Sequence, residues 1–212
     1  MTSAGPKRSA PVAADRPPGF NHVDELRRLG LRLRELRRLK SLTTRQLAER
    51  VGISASMISQ IETGKTGTSV VSLRKIAHVL HVPLAEFFID GNSPPEATKS
   101  SSVGVVRRDR RKHLQLPESR LTYELLTPDL RWNIEFVWIE LEPDHPPVES
   151  MSHPGQECAL VLAGTLHVII GSDAYVLETG DSIAFDSSVP HRIENRGTET
   201  VIQISAITPP AF

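Results

Sequence analysis

The stretch TTRQLAERVGISASMISQIETGK, residues 43–65, decides the fold of the N-terminal half. Thr43 is a residue type that caps helix N-termini, and a helix that starts after it would end at Gly52. Ser54 can cap the next helix, which we predict over Ala55–Glu62. Two short helices joined through a glycine have the outline of a helix-turn-helix.

Further helices are predicted on both sides of this pair. The first, over roughly 24–40, has an apolar stripe of leucines at helical spacing. A fourth helix, which Pro83 would end, has its own apolar stripe of Leu73, Ile76, Ala77 and Leu80. We therefore predict an all-α domain over residues 21–90. It follows a disordered tail over 1–20 that is rich in Pro, Ala and Arg.

Four short motifs stand in this domain: Leu47–Ala48, Gly52–Ile53–Ser54, Ile58–Ser59 and Glu62–Thr63–Gly64–Lys65. They resemble the DNA-binding domain of phage-repressor-like regulators, the XRE family, and the resemblance covers about Leu26–Phe88. It implies that the domain binds double-stranded DNA and that Arg37 pairs with Glu62 in a structural role. Ser41 departs from the pattern, which usually has glycine there, and we expect a slightly tighter end to the first helix.

Each predicted contact with DNA has a physical reason. Free backbone N–H groups at the N-terminus of the second helix favour a phosphate, and the third helix would enter the major groove. Ser and Gln side chains can hydrogen-bond base edges, and an Ala side chain can contact a thymine methyl group. The candidate DNA-binding residues are Thr43, Thr44, Arg45, Ser54, Ala55, Ser56, Ser59, Gln60 and Lys65.

The charges divide unevenly between the two halves. Residues 1–90 contain 15 Lys and Arg against 8 Asp and Glu, and residues 91–212 contain 10 against 17. A basic half is steered toward a polyanion such as DNA, whereas an acidic half is repelled by it. The alternative, a helical domain that serves only protein contacts, does not explain this concentration of positive charge.

The C-terminal half has a different pattern. Residues 91–102, GNSPPEATKSSS, are predicted to be a linker because they are rich in Pro and Ser and lack periodicity. Over 103–212, strand-forming runs alternate with Gly and Asp, which is typical of an antiparallel barrel or sandwich. The predicted strands are Leu121–Thr127, Ile134–Leu141, Glu157–Leu162, Thr165–Ile170, Ala174–Glu178, Ser182–Phe185 and Thr200–Ile207.

Another set of motif residues runs through this half: His153–Pro–Gly–Gln–Glu157, Gly164, Gly180–Asp181, Pro190–His191 and Asn195. They resemble the two motifs of the cupin family, over roughly Val103–Ile207. The resemblance implies an all-β jelly-roll, or double-stranded β-helix, with a pocket inside. The predicted fold class is therefore multidomain, an all-α helix-turn-helix domain followed by an all-β cupin domain.

The cupin pattern usually opens with two histidines, and Met151 replaces the first of them here. The remaining His153, Glu157 and His191 form a 2-His-1-carboxylate set that suits Fe(II), and Zn, Mn or Ni could also occupy it. The alternative is that they are fold remnants that hydrogen-bond a ligand or water. Candidates for the effector pocket, which ordinary core packing would equally explain, are Tyr123, Trp138, Met151 and Phe185.

Cys158 is the single cysteine, which excludes an intrachain disulfide and is ordinary for a reducing cytoplasm. Because it follows Glu157 on a predicted strand, we expect a packed thiol on the face opposite the triad. No apolar run approaches the ~18 residues of a membrane-spanning helix.

These features predict a cytoplasmic DNA-binding transcription regulator, not an enzyme, whose cupin domain senses a small-molecule effector. A homodimer would read a palindromic operator, because one recognition helix contacts few base pairs. The alternative is a mononuclear non-haem iron oxygenase, since the domain order and the three candidate ligands also resemble hydroxypropylphosphonate epoxidase. The substrate-binding side chains that such an enzyme needs cannot be assigned from the sequence.

Overall fold

The computed structural model describes residues 22–82, 84–88, 103–116, 120–128, 132–145 and 149–210. Within these ranges, four α-helices precede nine β-strands, so the predicted order of an all-α and an all-β domain is confirmed. The predicted tail, the predicted linker and Pro83 lie outside the described residues. None of the helices in these ranges is long and apolar enough to cross a bilayer.

The helices are α1 His22–Leu39, α2 Thr44–Val51, α3 Ala55–Glu62 and α4 Val70–Leu80, followed by a 3-10 turn over Leu84–Phe87. Thr43 caps α2, because its hydroxyl accepts from the Gln46 N–H at 3.2 Å while the Gln46 side chain accepts from the Thr43 N–H at 2.8 Å. Ser54 caps α3 by accepting from the Met57 N–H at 3.1 Å. Both predicted caps are confirmed.

A close approach and a buried ion pair hold α1 against α3. A β-carbon at Gly30 would lie 2.2 Å from the backbone oxygen of Ile61, so only glycine fits there. Arg37 Nε is 2.5 Å from Glu62 Oε1, and Arg37 Nη2 is 2.8 Å from Glu62 Oε2. Arg37 also donates to the carbonyl of Leu42 at 2.7 Å. The predicted pairing is confirmed, and it fixes the position of α3.

The chain leaves α1 through Ser41, whose φ of 54° lies in the left-handed region. A side chain is strained in this region and glycine is not. The conformation therefore explains why the sequence pattern usually has glycine at this position.

The C-terminal domain consists of two antiparallel sheets. The larger sheet has the strand order β1-β2-β3-β9-β4-β7 and the smaller one has the order β6-β5-β8. The strands are β1 Lys112–Leu116, β2 Leu121–Leu125, β3 Glu135–Leu141, β4 Gln156–Ala163, β5 Leu166–Ile170, β6 Asp173–Leu177, β7 Ser182–Asp186, β8 His191–Glu194 and β9 Val201–Thr208. The sequence predictions missed β1 and β8.

Alternate residues of the larger sheet face the barrel interior. Along β3, Val137 is fully buried, whereas the adjacent Phe136 is 40% exposed. Glu135 of β3 and Glu157 of β4 both pair with Ile207 of β9, from its two sides. Residues directly opposite each other in a sheet point to the same face, so both carboxylates point into the barrel.

The two domains are in contact. His113 Nε2 on β1 lies 3.1 Å from Glu25 Oε1 on α1, and both side chains are largely buried. The buried apolar side chains of the helices and of the barrel form one contiguous cluster. The helical domain therefore lies directly against the barrel.

Candidate functional site

The outer face of α3 presents small and polar side chains to solvent. The predicted base-contacting residues of this helix are all exposed: Ala55, Ser56, Ser59 and Gln60. Ile58 and Ile61 on the opposite side are buried, as predicted. Met57 on this face is 44% exposed as well, and the sequence analysis did not include it among the candidate DNA-binding residues.

The remaining predicted DNA-binding residues differ in what their side chains do. The hydroxyls of Thr43 and Ser54 cap α2 and α3, so they position the two helices. Thr44 is half-buried at the N-terminus of α2, whereas Arg45 and Lys65 are exposed cations near the ends of the motif. The charge available to a phosphate at these nine positions thus comes from Arg45 and Lys65.

His153, Glu157 and His191 converge inside the barrel. One ligand atom from each residue lies within 4.8 Å of the ligand atoms of the other two, and all three residues are buried. Glu157 Oε2 is 3.6 Å from His153 Nε2 and 3.8 Å from His191 Nε2. The two imidazole rings are nearly perpendicular, at 81°, with their centroids 5.2 Å apart. The geometry is that of three ligands around one point.

A backbone hydrogen bond fixes the orientation of His191. Its Nδ1 lies 2.9 Å from the carbonyl oxygen of Val189, so Nδ1 carries the proton and Nε2 presents a lone pair toward Glu157. Burial lowers the pKa of His191, although the Val189 hydrogen bond and Glu157 act to raise it. A neutral imidazole is the form that binds a metal ion.

The surroundings of His153 test whether the site fits a metal. Both of its ring nitrogens are buried and have no hydrogen-bond partner among the described residues. A buried polar atom without a partner costs about 1–3 kcal/mol. Coordination through Nε2 would remove part of this cost, and Glu157 and His191 supply the other two ligands. The residues therefore fit an ion that takes two imidazoles and one carboxylate and keeps open positions.

Three of the four predicted pocket residues lie beside this triad or deeper in the barrel. Phe185 pairs with Glu157 across β7 and β4, and its ring centroid is 5.0 Å from that of His191. Met151 and His191 exchange backbone hydrogen bonds of 2.8 Å. Tyr123 is buried on β2, and burial raises its pKa to about 12.

Trp138 does not line the pocket, and its prediction was wrong. It lies on the outer face of β3, where its Nε1 donates to Glu140 Oε1 at 2.8 Å and the Arg111 guanidinium lies 5.5 Å from its ring centre. Because side chains alternate along a strand, Trp138 points to the other face of the sheet from its neighbour Val137, which is buried. Cys158 lies on the face opposite Glu157, as predicted, but its thiol is exposed and not packed.

The barrel interior also contains polar side chains that the sequence reasoning missed. Glu135, Gln203 and Ser205 are buried, and Gln203 Nε2 is 3.3 Å from Ser205 Oγ. Gln203 Oε1 and Ser187 Oγ have no hydrogen-bond partner among the described residues. Strand alternation was the available signal, because Glu135 is in phase with Val137 and Gln203 with Ser205. The pocket is therefore polar well beyond the triad.

Comparison with known families agrees with the architecture. Residues 33–87 match the model of the helix-turn-helix family HTH_3, and residues 137–207 match the model of the cupin domain. The chain thus combines a helix-turn-helix domain with a C-terminal cupin domain. The resemblance to XRE-type regulators that carry a cupin domain is confirmed.

Similar proteins align with most of this chain. The HTH-type transcriptional regulator PuuR of Escherichia coli K12 is 28% identical over 184 residues, which are 86% of this chain and 96% of PuuR. The crystal structure of an HTH_3 family transcriptional regulator from Vibrio cholerae aligns with 90% of this chain and 99% of its own, with a TM-score of 0.64 and 23% identity. The chain therefore has the same fold. The crystal structure of Fe(II) HppE aligns with 86% of this chain and 99% of its own, with a TM-score of 0.45 and 21% identity.

Proposed function

We propose that this chain is a DNA-binding transcription regulator whose cupin pocket binds a divalent metal ion and a small-molecule effector. The observation that carries the proposal is the exposed face of α3, which presents Ser56, Ser59 and Gln60 to solvent while Ile58, Ile61 and Glu62 are buried behind it. PuuR, which aligns with this chain over 96% of its own length, is named as a transcriptional regulator. A cytoplasmic location belongs to the same proposal.

The roles of the DNA-binding residues follow from their positions. Ser59 and Gln60 hydrogen-bond base edges in the major groove, while Ala55 and the exposed Met57 contact apolar groups there. Arg45 and Lys65 bind phosphates, and such contacts set position and not sequence. Thr43 and Ser54 orient the helix N-termini that face the phosphates.

In the barrel, His153, Glu157 and His191 hold the metal through two imidazole nitrogens and one carboxylate oxygen. Fe, Zn, Mn and Ni all accept such ligands. A bound ion supplies a Lewis-acidic centre with positions open to an effector. Gln203, Ser205 and Tyr123 then orient the effector by hydrogen bonds in the rest of the pocket.

Regulation requires that the effector prefers one arrangement of the protein over another. A homodimer would place two α3 helices on half-sites of a palindromic operator about 34 Å apart. An effector that binds better when the two DNA-binding domains are misplaced lowers operator affinity, and one with the opposite preference raises it.

The regulator is favoured over the oxygenase that the triad alone also allows. A 2-His-1-carboxylate site serves either purpose, so the triad does not distinguish them. The base-reading face of α3 is explained by DNA binding and not by oxygenase chemistry. PuuR, which carries a regulator's name, covers 86% of this chain.

The proposal is tested by changing one exposed glutamine in each domain. We expect Gln60→Ala to weaken binding to a duplex selected from a random pool by about tenfold, the loss of one good base contact. Gln156→Ala, on the exposed side of β4, is the matched control and should bind as the wild type does. Fluorescence anisotropy measures both affinities. Equal affinity of Gln60→Ala and the wild type would show that Gln60 on α3 does not contribute to DNA recognition.

A further inference from the structure

The outer face of the larger sheet changes from polar to apolar halfway across. On β1 and β2 this face carries His113, Gln115, Thr122 and Glu124, as the solvated face of an antiparallel sheet usually does. On β3, β9, β4 and β7 the same face carries apolar side chains and one serine. The usual alternation of apolar side chains inside and polar side chains outside therefore fails on these four strands.

Strand register joins these side chains into one surface, which we call the apolar patch. Residues directly opposite each other on neighbouring strands point to the same face of the sheet. One row across the four strands is Phe136, Ala206, Cys158 and Ala184, and the next row is Trp138, Ile204, Leu160 and Ser182. Strands lie about 4.8 Å apart, and alternate residues lie about 6.8 Å apart along a strand, so the patch measures roughly 19 by 14 Å.

The apolar patch is open to solvent in the single chain. Phe136 is 40% exposed and Leu160 is 41% exposed, and Cys158 and Ala184 are exposed as well. The helical domain contacts the sheet at β1, through His113, and leaves these side chains uncovered. Single exposed apolar side chains are common, but a contiguous apolar surface marks a site of interaction.

Charged side chains border the apolar patch on two sides. Toward β1, the guanidinium of Arg111 lies 5.5 Å from the ring centre of Trp138 and donates to Glu124 at 2.8 Å. At the end of β7, Asp186 follows Ala184 on the same face of the sheet and is exposed. An apolar centre with a polar border is the usual anatomy of a protein–protein interface.

The chemistry of the patch favours a second copy of this chain over a charged partner. None of its eight side chains is charged, so a nucleic acid or a strongly charged protein would bury its own charges there without partners. An identical patch matches it, because two-fold packing gives both copies the same contacts, apolar on apolar. The patch covers roughly 270 Å², about a third of the ~800 Å² per partner that a stable interface buries, and the polar border supplies the remainder.

We propose that the apolar patch is the surface through which two copies of this chain form a homodimer, sheet against sheet. The inference rests on the proposed function, in which a palindromic operator is read by two α3 helices. Sheets that pack face to face lie about 10 Å apart. Cys158 lies on one of the two central strands of the patch, so a two-fold axis through the patch brings the two Cys158 thiols close together.

The test measures the dimer dissociation constant of the full chain by sedimentation-velocity ultracentrifugation, without DNA. Leu160→Lys places a charge in the patch at a side chain that is already partly exposed. Phe136→Thr is a second, uncharged variant that keeps a residue type favoured in strands. Val176→Lys, at a more exposed position on β6 of the smaller sheet, is the matched control. Because Cys158 is the single cysteine, a short bis-maleimide can join two copies only through it.

We expect the wild type and Val176→Lys to be dimers at micromolar concentration and to be cross-linked through Cys158. Leu160→Lys should raise the dissociation constant at least about 100-fold and Phe136→Thr about tenfold, because each removes apolar contact at the centre of the interface. A monomeric wild type, or a dimer that Leu160→Lys does not weaken, would overturn the inference. A wild-type dimer that the bis-maleimide does not join would place the interface elsewhere.

The two proposals fail separately. A dimer that depends on Leu160 but binds no DNA refutes the regulator and leaves the interface standing. A monomeric wild type that binds the selected duplex refutes the interface and leaves DNA binding standing.

Discussion

The outer face of α3 and the interior of the barrel present polar side chains in opposite ways. On α3, Ser59 and Gln60 are exposed and adjacent in sequence. In the barrel, His153, Glu157 and His191 are buried, and His191 comes from a segment 34 residues beyond Glu157. The polar groups of the α3 face contact water until a partner binds. The barrel site is assembled by the fold before any ligand arrives.

The free-energy cost of removing polar groups from water differs between the two regions. Exposed polar groups exchange water for a partner at little cost, so specificity is gained on binding. Buried polar groups lose their water during folding, and the fold must supply partners or a ligand must do so later. Changes of exposed α3 side chains that preserve helix propensity should therefore alter affinity with little change in stability, and changes to buried charge should alter stability.

The largest effect is expected at the buried pair beneath α3. Arg37→Met leaves Glu62 buried without its partner and should lower the free energy of unfolding by about 3–5 kcal/mol. Arg38→Met, at the exposed neighbouring position, should change it by less than about 0.5 kcal/mol. Urea denaturation measures both. A loss at Arg37 no greater than that at Arg38 would show that burial does not separate the two charges.

The next effect tests whether the triad is a metal site. His153→Ala removes one of three ligands and should weaken Co(II) binding at least about 100-fold, more than a supporting contact would. His167→Ala, a strand histidine outside the triad, is the control and should bind Co(II) like the wild type. Elemental analysis of both purified variants gives the metal content. Equal metal content in His153→Ala and the wild type would assign the triad a purely structural role.

A smaller effect comes from ionisation inside the barrel. The pKa of Tyr123 rises from its ordinary value of 10.0 to about 12 on folding. Above pH 10 the unfolded chain loses this proton first, so the stability of the wild type should fall by about 2 kcal/mol more than that of Tyr123→Phe between pH 9 and pH 12. Tyr175→Phe, at an exposed tyrosine, should keep the wild-type pH dependence. The same pH dependence of stability in all three proteins would show that folding does not raise the pKa of Tyr123.

The smallest effect is expected at the turn after α1. Ser41→Gly relieves the left-handed strain at φ 54° and should stabilise the protein by about 0.5 kcal/mol. Ser56→Gly, inside α3, should destabilise it by a similar amount, because glycine loses more backbone freedom in a helix. Thermal unfolding of the two variants should shift in opposite directions. A shift in the same direction for both would mean that Ser41 is not strained.

The helix-turn-helix could be predicted from sequence because its signals are local. Thr43 and Ser54 cap helices that begin one residue later, and Gly52 ends the first of them at a φ of 81°. The triad could be predicted because its residues carry a family pattern. The approach of His191 to the other two, however, depends on the long-range pairing of Met151 with His191, which no local signal records.

What the sequence did not predict depends on strand phase and on strand length. Trp138 was misplaced because a run of apolar residues on β3 hides which alternate set faces inward. The strand β8 was missed because it spans only the four residues His191–Glu194.

We expect the basic helical domain to bind double-stranded DNA, while a separate buried pocket receives the ligand. The most direct test is the salt dependence of binding to a selected duplex, measured by fluorescence anisotropy between 50 and 200 mM salt. Neutralisation of several phosphates predicts that affinity falls by at least about 100-fold over that range. An affinity that does not change with salt, or no binding at 50 mM salt, would show that the helical domain does not bind DNA by neutralising its phosphates.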